Sequence, residues 1–269
     1  MEKYTLRSKD GAYAEILTQG AHLCHWRTAQ GKTPIFLSSR SEMREAAAVR
    51  GGVPVIFPQF SDHGPLPKHG FARTALWRFC EMRETPEGLA QARFELRESL
   101  ATLRIWPHVF RAEILFSIVG EYLQMDLTVD NAGDGALQFC CALHTYLQVE
   151  EIAQTTIEGL AGLSYRDTVL GFTAVQAVEA LKIETEIDRI YAAITDPILV
   201  QCGGQKLQVS QSGFSDAVIW NPGAEKAAQM ADMEAQGEKR MLCVEAAAIN
   251  QAIVLAPGAT WTGTQKLFA

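Results

Sequence analysis

Residues 122–129 read YLQMDLTV, with Asp130 next, and their alternation is strict. Leu123, Met125, Leu127 and Val129 fall on one side, Gln124, Asp126, Thr128 and Asp130 on the other. Successive side chains of an extended chain point to opposite faces. The stretch therefore predicts a strand with one face in a core and one in solvent, as in an antiparallel sheet. Gly120-Glu121 before it and Asn131-Ala132-Gly133-Asp134-Gly135 after it supply turns, which makes residues 109–119 and 136–149 its neighbouring strands.

Short apolar runs broken by turn signals continue in both directions. They cover residues 13–17, 21–26, 35–37, 75–83, 90–98, 155–160, 174–181, 192–194, 198–202, 207–211, 217–220, 241–248, 252–256 and 260–268. Two short helices are expected among them. One spans residues 39–48, from the capping-box spacing of Ser39 and Glu42 and from Ala46, Ala47 and Ala48; the other spans 223–235, from Ala227, Met230 and Met233. The pattern predicts an all-β chain, one large antiparallel β-sandwich domain over residues 1–269.

Composition narrows the function. Hydrophobic residues make up 48% and charged residues 20%, enough for a packed core. A net charge of −7 weighs against nucleic acid or an anionic membrane as partner. The N-terminus has no apolar leader core, and no 18 apolar residues run together, so a cytoplasmic protein acting as a monomer on a small molecule is expected. Six scattered cysteines form no CxxC pair, which predicts free buried thiols rather than disulfides or a zinc site.

Chemistry concentrates in residues 50–73, RGGVPVIFPQFSDHGPLPKHGFAR. Pro54, Pro58, Pro65 and Pro67 forbid an ordinary strand, while Val53, Val55, Ile56, Phe57, Phe60 and Phe71 demand burial. The reading is an ordered loop that holds Arg50, Gln59, His69 and Arg73 at fixed positions. His144 falls in CALHTYLQV on a face with Ala142, Tyr146 and Gln148, expected to be the more polar one. Glu245 sits in the almost wholly apolar MLCVEAAAI, where burial raises a carboxyl into the range of a base. Asp188 lies in ETEIDRIY, where Glu184, Glu186 and Asp188 are equivalent candidates, and a solvated acidic face is the plainer reading. No Gly-rich phosphate loop, GxSxG or HExxH is present, so a bound anion would be held by arginines, Arg50 and Arg73 first.

In combination, RGGVPVIFPQF, LPKHGFAR, NAGD, ALHTYLQV, EIDRIY, VIWNP, EKAAQMADM and MLCVEAAAI resemble the glucose-6-phosphate 1-epimerases, a branch of the aldose 1-epimerase superfamily, from about Gly20 onward. The resemblance implies a galactose-mutarotase-like sandwich. It also implies interconversion of the α and β anomers of a hexose 6-phosphate with no metal or organic cofactor. It makes Glu245 the general base, His144 the general acid and His69 a stabiliser of the ring oxygen. Asp188 and Gln59 become sugar-hydroxyl contacts, and Arg50 and Arg73 phosphate ligands. The acid and base are expected on opposite sides of the anomeric carbon.

Two positions depart from the family pattern: Ser61, where many members have glycine, and Gly223, where many have tryptophan. Competing readings are a mutarotase for free aldoses, a silent sugar-phosphate binder, and a metal-dependent isomerase using His63, His69, His144 and Glu245.

Overall fold

In the computed structural model, which describes residues 1–269, the alternating stretch forms the strand Tyr122–Asn131. It pairs antiparallel with Phe110–Val119 on one side and Thr260–Phe268 on the other, Leu127 facing Ile114 and Gly263. These strands are the middle of a nine-stranded sheet. Its order is Leu181–Lys182, Thr156–Glu158, Ile198–Cys202, Gln205–Ser212, Thr260–Phe268, Tyr122–Asn131, Phe110–Val119, Ala90–Arg97 and Arg78–Glu84.

Opposite lies an eight-stranded sheet, in the order Phe172–Val175, Ser164–Asp167, Ile187–Ala192, Asp216–Asn221, Met241–Leu255, Leu137–Leu143 and Val55–Ile56, with Tyr146–Gln148 also paired to Met241–Leu255. A three-stranded meander, Lys3–Arg7, Tyr13–Leu17 and His22–Arg27, precedes both. Every strand pair in the three sheets is antiparallel, and the architecture is the expected β-sandwich. No helix is long and apolar enough to cross a membrane.

A cluster of 57 buried residues fills the space between the sheets. Leu143, Ala217, Ile219, Val244 and Ala246 enter it from the eight-stranded sheet, Phe116, Leu127, Leu207 and Leu267 from the nine-stranded one. Each fully buried Leu, Ile or Phe contributes roughly 1.5–3 kcal/mol, so this core, rather than any surface ion pair, carries the fold.

The alternate residues of the same strands are also covered. Ile56, Ala142, Tyr146, Ile190, Val218, Trp220, Cys243 and Ala247 form a second apolar cluster on the far face, and the candidate site is built there. His144 was expected on a polar face. The face is largely apolar, because the residues 50–73 loop and the segment after Asn221 roof this side of the sheet.

Three local expectations change. Residues 39–48 form no helix: the buried Gln19 amide donates to the Arg44 and Ala47 carbonyls and accepts from Ala46 N–H, and Ala46 has φ 60°. Backbone groups a helix would pair are taken by that side chain. A helix not anticipated runs Leu100–Ile105, with Ser99 and Thr102 closing its capping box. The strand expected at 136–149 breaks at His144-Thr145, between Leu137–Leu143 and Tyr146–Gln148. The second expected helix is present but shorter, Gly223–Gln229, with Met230 and Met233 in the turns after it.

Candidate active site

The break in the strand is what presents His144. Its N–H donates to the Pro54 carbonyl at 3.0 Å instead of to a neighbouring strand. The next residue, Thr145, is fully buried and points the other way, its Oγ1 donating to Gln265 Oε1 at 2.5 Å across the sandwich. Gln265 Nε2 in turn donates to the Val244 carbonyl, next to Glu245. One buried amide thus ties together the backbones that carry both chemical groups. The imidazole stacks on Tyr146, ring centres 4.9 Å apart at 11°, and meets the edge of Trp220 at 5.9 Å.

Glu245 lies within the long strand Met241–Leu255, opposite Val218. Period two sends Leu242, Val244 and Ala246 into the main core and Cys243, Glu245 and Ala247 to the site face. The carboxyl is 1% exposed, and its Oε1 stands 3.2 Å from His144 Nε2. Burial, reinforced by the charge of Asp188, pushes Glu245 well above the usual carboxylate range. Burial, reinforced by His69, Arg50 and Arg73, pushes His144 well below the usual imidazole value. Both shifts favour the neutral forms, a carboxylic acid beside an imidazole, over an ion pair. The pair holds one movable proton, and its transfer to Nε2 gives a carboxylate and an imidazolium.

His69 comes from the loop. Gly70 after it, at φ 69°, lets the chain pass so close to Phe57 that a Cβ there would lie 2.2 Å from the Phe57 carbonyl oxygen. His69 itself has φ 67°, a left-handed backbone that costs a non-glycine residue roughly 1–2 kcal/mol, held by Phe60 against its ring. The Ser61 N–H donates to His69 Nδ1, which leaves the proton on Nε2. Burial, with Arg73, Lys68 and Arg50 nearby, brings its pKa down to about 3, so this ring is a neutral donor. Ser61 has φ 49°, a conformation glycine adopts freely, which accounts for glycine serving equally well there.

A cavity of about 290 Å³ joins these groups, lined also by Arg50, Lys68, Arg73, Asp188, Trp220, Lys226 and Asp232. Six of the seven predicted site residues therefore share one cavity: Arg50, His69, Arg73, His144, Asp188 and Glu245. Asp188 is distinguished from Glu184 and Glu186 by facing it, in line with Trp220, Cys243 and Tyr146 across the sheet. Burial raises its pKa.

Gln59 stands apart. Its amide nitrogen donates to the Ser61 and Leu66 carbonyls and its oxygen accepts from Leu66 N–H, so every strong bond goes to the loop that carries His69. It does not line the cavity; it holds the loop in shape. Gly223 is also remote: the helix it begins reaches the cavity through Lys226, and Met230 lines it just past the helix end. Its φ of 63° and the Glu186 backbone 2.7 Å from a would-be Cβ exclude tryptophan from this backbone.

Tyr146, Lys68, Lys226 and Asp232 escaped the reading of the sequence. Tyr146 shares the period-two face of His144, and that parity was its signal. Asp232 reaches the site through a turn no periodicity announces. A larger depression of about 550 Å³, near Leu76, Leu96 and Ile105, holds none of the predicted residues, and its Glu95 is held by Arg78, Arg97 and Arg111. His144, Cys243 and Glu245 bring ligand atoms within 4.8 Å of one another, a set chemically able to hold a metal; His63, proposed with them for an isomerase, is exposed and outside the cavity.

The chain is similar to known proteins over nearly its whole length. Residues 2–267 match the family model described as aldose 1-epimerase. A protein of Cenchrus ciliaris named "Putative glucose-6-phosphate 1-epimerase" is 33% identical over 100% of this chain and 85% of its own. One of Escherichia coli K12 with the same name is 34% identical, over 87% and 79%. The crystal structure of a "putative mutarotase" from Salmonella typhimurium superposes with a TM-score of 0.88 at 27% identity, covering 96% of this chain and 86% of the other. This chain belongs to the aldose 1-epimerase family.

Proposed function

We propose that the protein interconverts the α and β anomers of a hexose 6-phosphate, with glucose 6-phosphate the foremost candidate. The observation that carries the proposal is the isolated His144–Glu245 pair, holding one proton in a cavity ringed by Arg50, Arg73, Lys68 and Lys226.

Anomer exchange requires proton movement at two oxygens, the C1 hydroxyl and the ring oxygen, both bonded to the same carbon. An acid and a base serving them must each reach one of the two oxygens, and side chains 3.2 Å apart can do so from one side of that carbon. Glu245 as carboxylate takes the hydroxyl proton while His144 as imidazolium gives one to the ring oxygen. The C1–O5 bond breaks and an open-chain aldehyde forms. Rotation about C1–C2 turns its other face to the hydroxyl, and closure returns each proton to its donor. No atom is gained or lost, and the pair ends with the proton it began with. His69, neutral with its proton on Nε2, donates to the ring oxygen as charge develops. Asp188 accepts from a sugar hydroxyl.

The phosphate is assigned to the cationic end. Arg73 Nε is buried with no partner, and its Nη2 donates only to the Lys68 carbonyl. An orphaned guanidinium N–H is costly unless a ligand supplies an acceptor. Arg50→Ala tests the assignment: the KM for glucose 6-phosphate should rise roughly 10- to 100-fold, the loss of a charged hydrogen-bond set, while the KM for free glucose barely moves. Equal effects on both sugars would contradict it and favour a mutarotase of free aldoses.

A further inference from the structure

Arg50 is held from two sides. Its Nε donates to Asp232 Oδ1 at 3.2 Å, and its Nη1 to the Tyr146 hydroxyl at 2.9 Å. A guanidinium reads a phosphate best through two parallel N–H bonds along one edge. Asp232 occupies the edge that contains Nε. Tyr146 cannot withdraw from the other, because it is buried and its ring is stacked on His144.

Asp232 is differently placed. Its side chain is 36% exposed, at the boundary between the cavity and a neighbouring surface depression. Arg50 is the one hydrogen-bond partner of its carboxylate, while its backbone is tied separately: Ser38 Oγ donates to the Asp232 carbonyl at 2.7 Å, and Ser38 N–H donates to the Arg50 carbonyl at 3.0 Å. One serine thus keeps the arginine and the aspartate in register and leaves the carboxylate free to swing.

We infer that Asp232 is a resident substitute for the substrate's phosphate, a specificity-determining residue that neutralises Arg50 in the empty site and yields the Nε edge to a dianion. The inference rests on the phosphate reading above. A doubly charged phosphate outcompetes one carboxylate for that edge, whereas a singly charged anion meets an equal rival. Asp232 therefore filters ligands by charge and lowers the affinity for every anion, so that product leaves readily.

Binding of inorganic phosphate to the full-length protein, measured by calorimetry at constant ionic strength, tests this alongside KM and kcat for glucose 6-phosphate. Asp232→Asn should tighten phosphate binding about 3- to 10-fold, the scale of a partly exposed charge pair, and lower KM by a similar factor. Asp232→Glu, which keeps the charge, should restore the wild-type values. A merely structural tether predicts the reverse, since Arg50 would lose its anchor. Weaker or unchanged phosphate binding in Asp232→Asn would overturn the inference and leave Arg50 a phosphate ligand. Failure of wild type and Asp232→Asn alike to bind phosphate would overturn the phosphate reading and this inference with it.

Discussion

His144 Nε2 lies 3.2 Å from Glu245 Oε1, and the remaining polar atom of each side chain, Nδ1 and Oε2, is buried without a protein partner. A buried carboxyl and a buried imidazole that answer only to each other are destabilising unless something else uses them. On the proposed reading the substrate supplies those partners and the pair serves proton exchange rather than stability, and the consequences are measurable.

Glu245→Gln should reduce kcat by at least about 10²- to 10⁴-fold, the usual worth of a positioned base. It should also leave the protein more stable at neutral and alkaline pH. The folded pKa of Glu245 lies above its ordinary 4.5, so the wild type keeps this part of its stability below pH 4.5 and loses it as pH rises through the raised value. Glutamine does not titrate, so the Tm advantage of the variant should grow with pH. A variant less stable than wild type at every pH would contradict the burial argument.

The acid limb of kcat/KM should lie below the ordinary imidazole value of 6.5, because burial and the charges of Arg50 and Arg73 oppose a second proton on the pair. Stability follows the same sign: the His144 contribution is whole above pH 6.5 and is lost as pH falls from there through the lowered folded value. Arg73→Gln removes one opposing cation. Its acid limb should move up toward 6.5, and a limb that stays in place would show that Arg73 does not act on His144.

Thr145→Val leaves Gln265 Oε1 buried with no donor, at a cost of about 1–3 kcal/mol. A urea titration would read that loss. With the His144 backbone released from its cross-sandwich tie, kcat should fall further than KM changes. Full kcat in a folded Thr145→Val protein would mean that the tie does not position the acid.

His144, Cys243 and Glu245 are fit to ligate a soft divalent ion, so metal dependence can be tested directly. The acid–base account predicts the full rate after exhaustive treatment with EDTA. Loss of rate that is restored by adding back a divalent metal would replace it with a Lewis-acid mechanism.

The sandwich was legible because period-two alternation is a property of single strands. Leu123 to Val129 report their burial without knowing their partners. His144 and Glu245 were legible for a related reason: a titratable group in an apolar strand is an anomaly that local sequence displays. Their adjacency was not, since it depends on the register of strands about 100 residues apart. Gln59 looked like a ligand because a loop amide has the same composition whether it faces a sugar or its own backbone. Residues 39–48 looked helical because propensity cannot see Gln19 satisfying that segment from 25 or more residues away. Asp232 was hidden for the same reason, its partner Arg50 being 182 residues distant.

The most direct test of the central claim is magnetisation transfer between the anomers of glucose 6-phosphate by NMR, beside free glucose at equal concentration. The protein should accelerate exchange of the phosphate ester far more than that of glucose, and Glu245→Gln should abolish the acceleration. Equal acceleration of both sugars would remove the phosphate assignment. No acceleration of either, with binding intact, would contradict the acid–base pair itself and leave a protein that only binds the sugar.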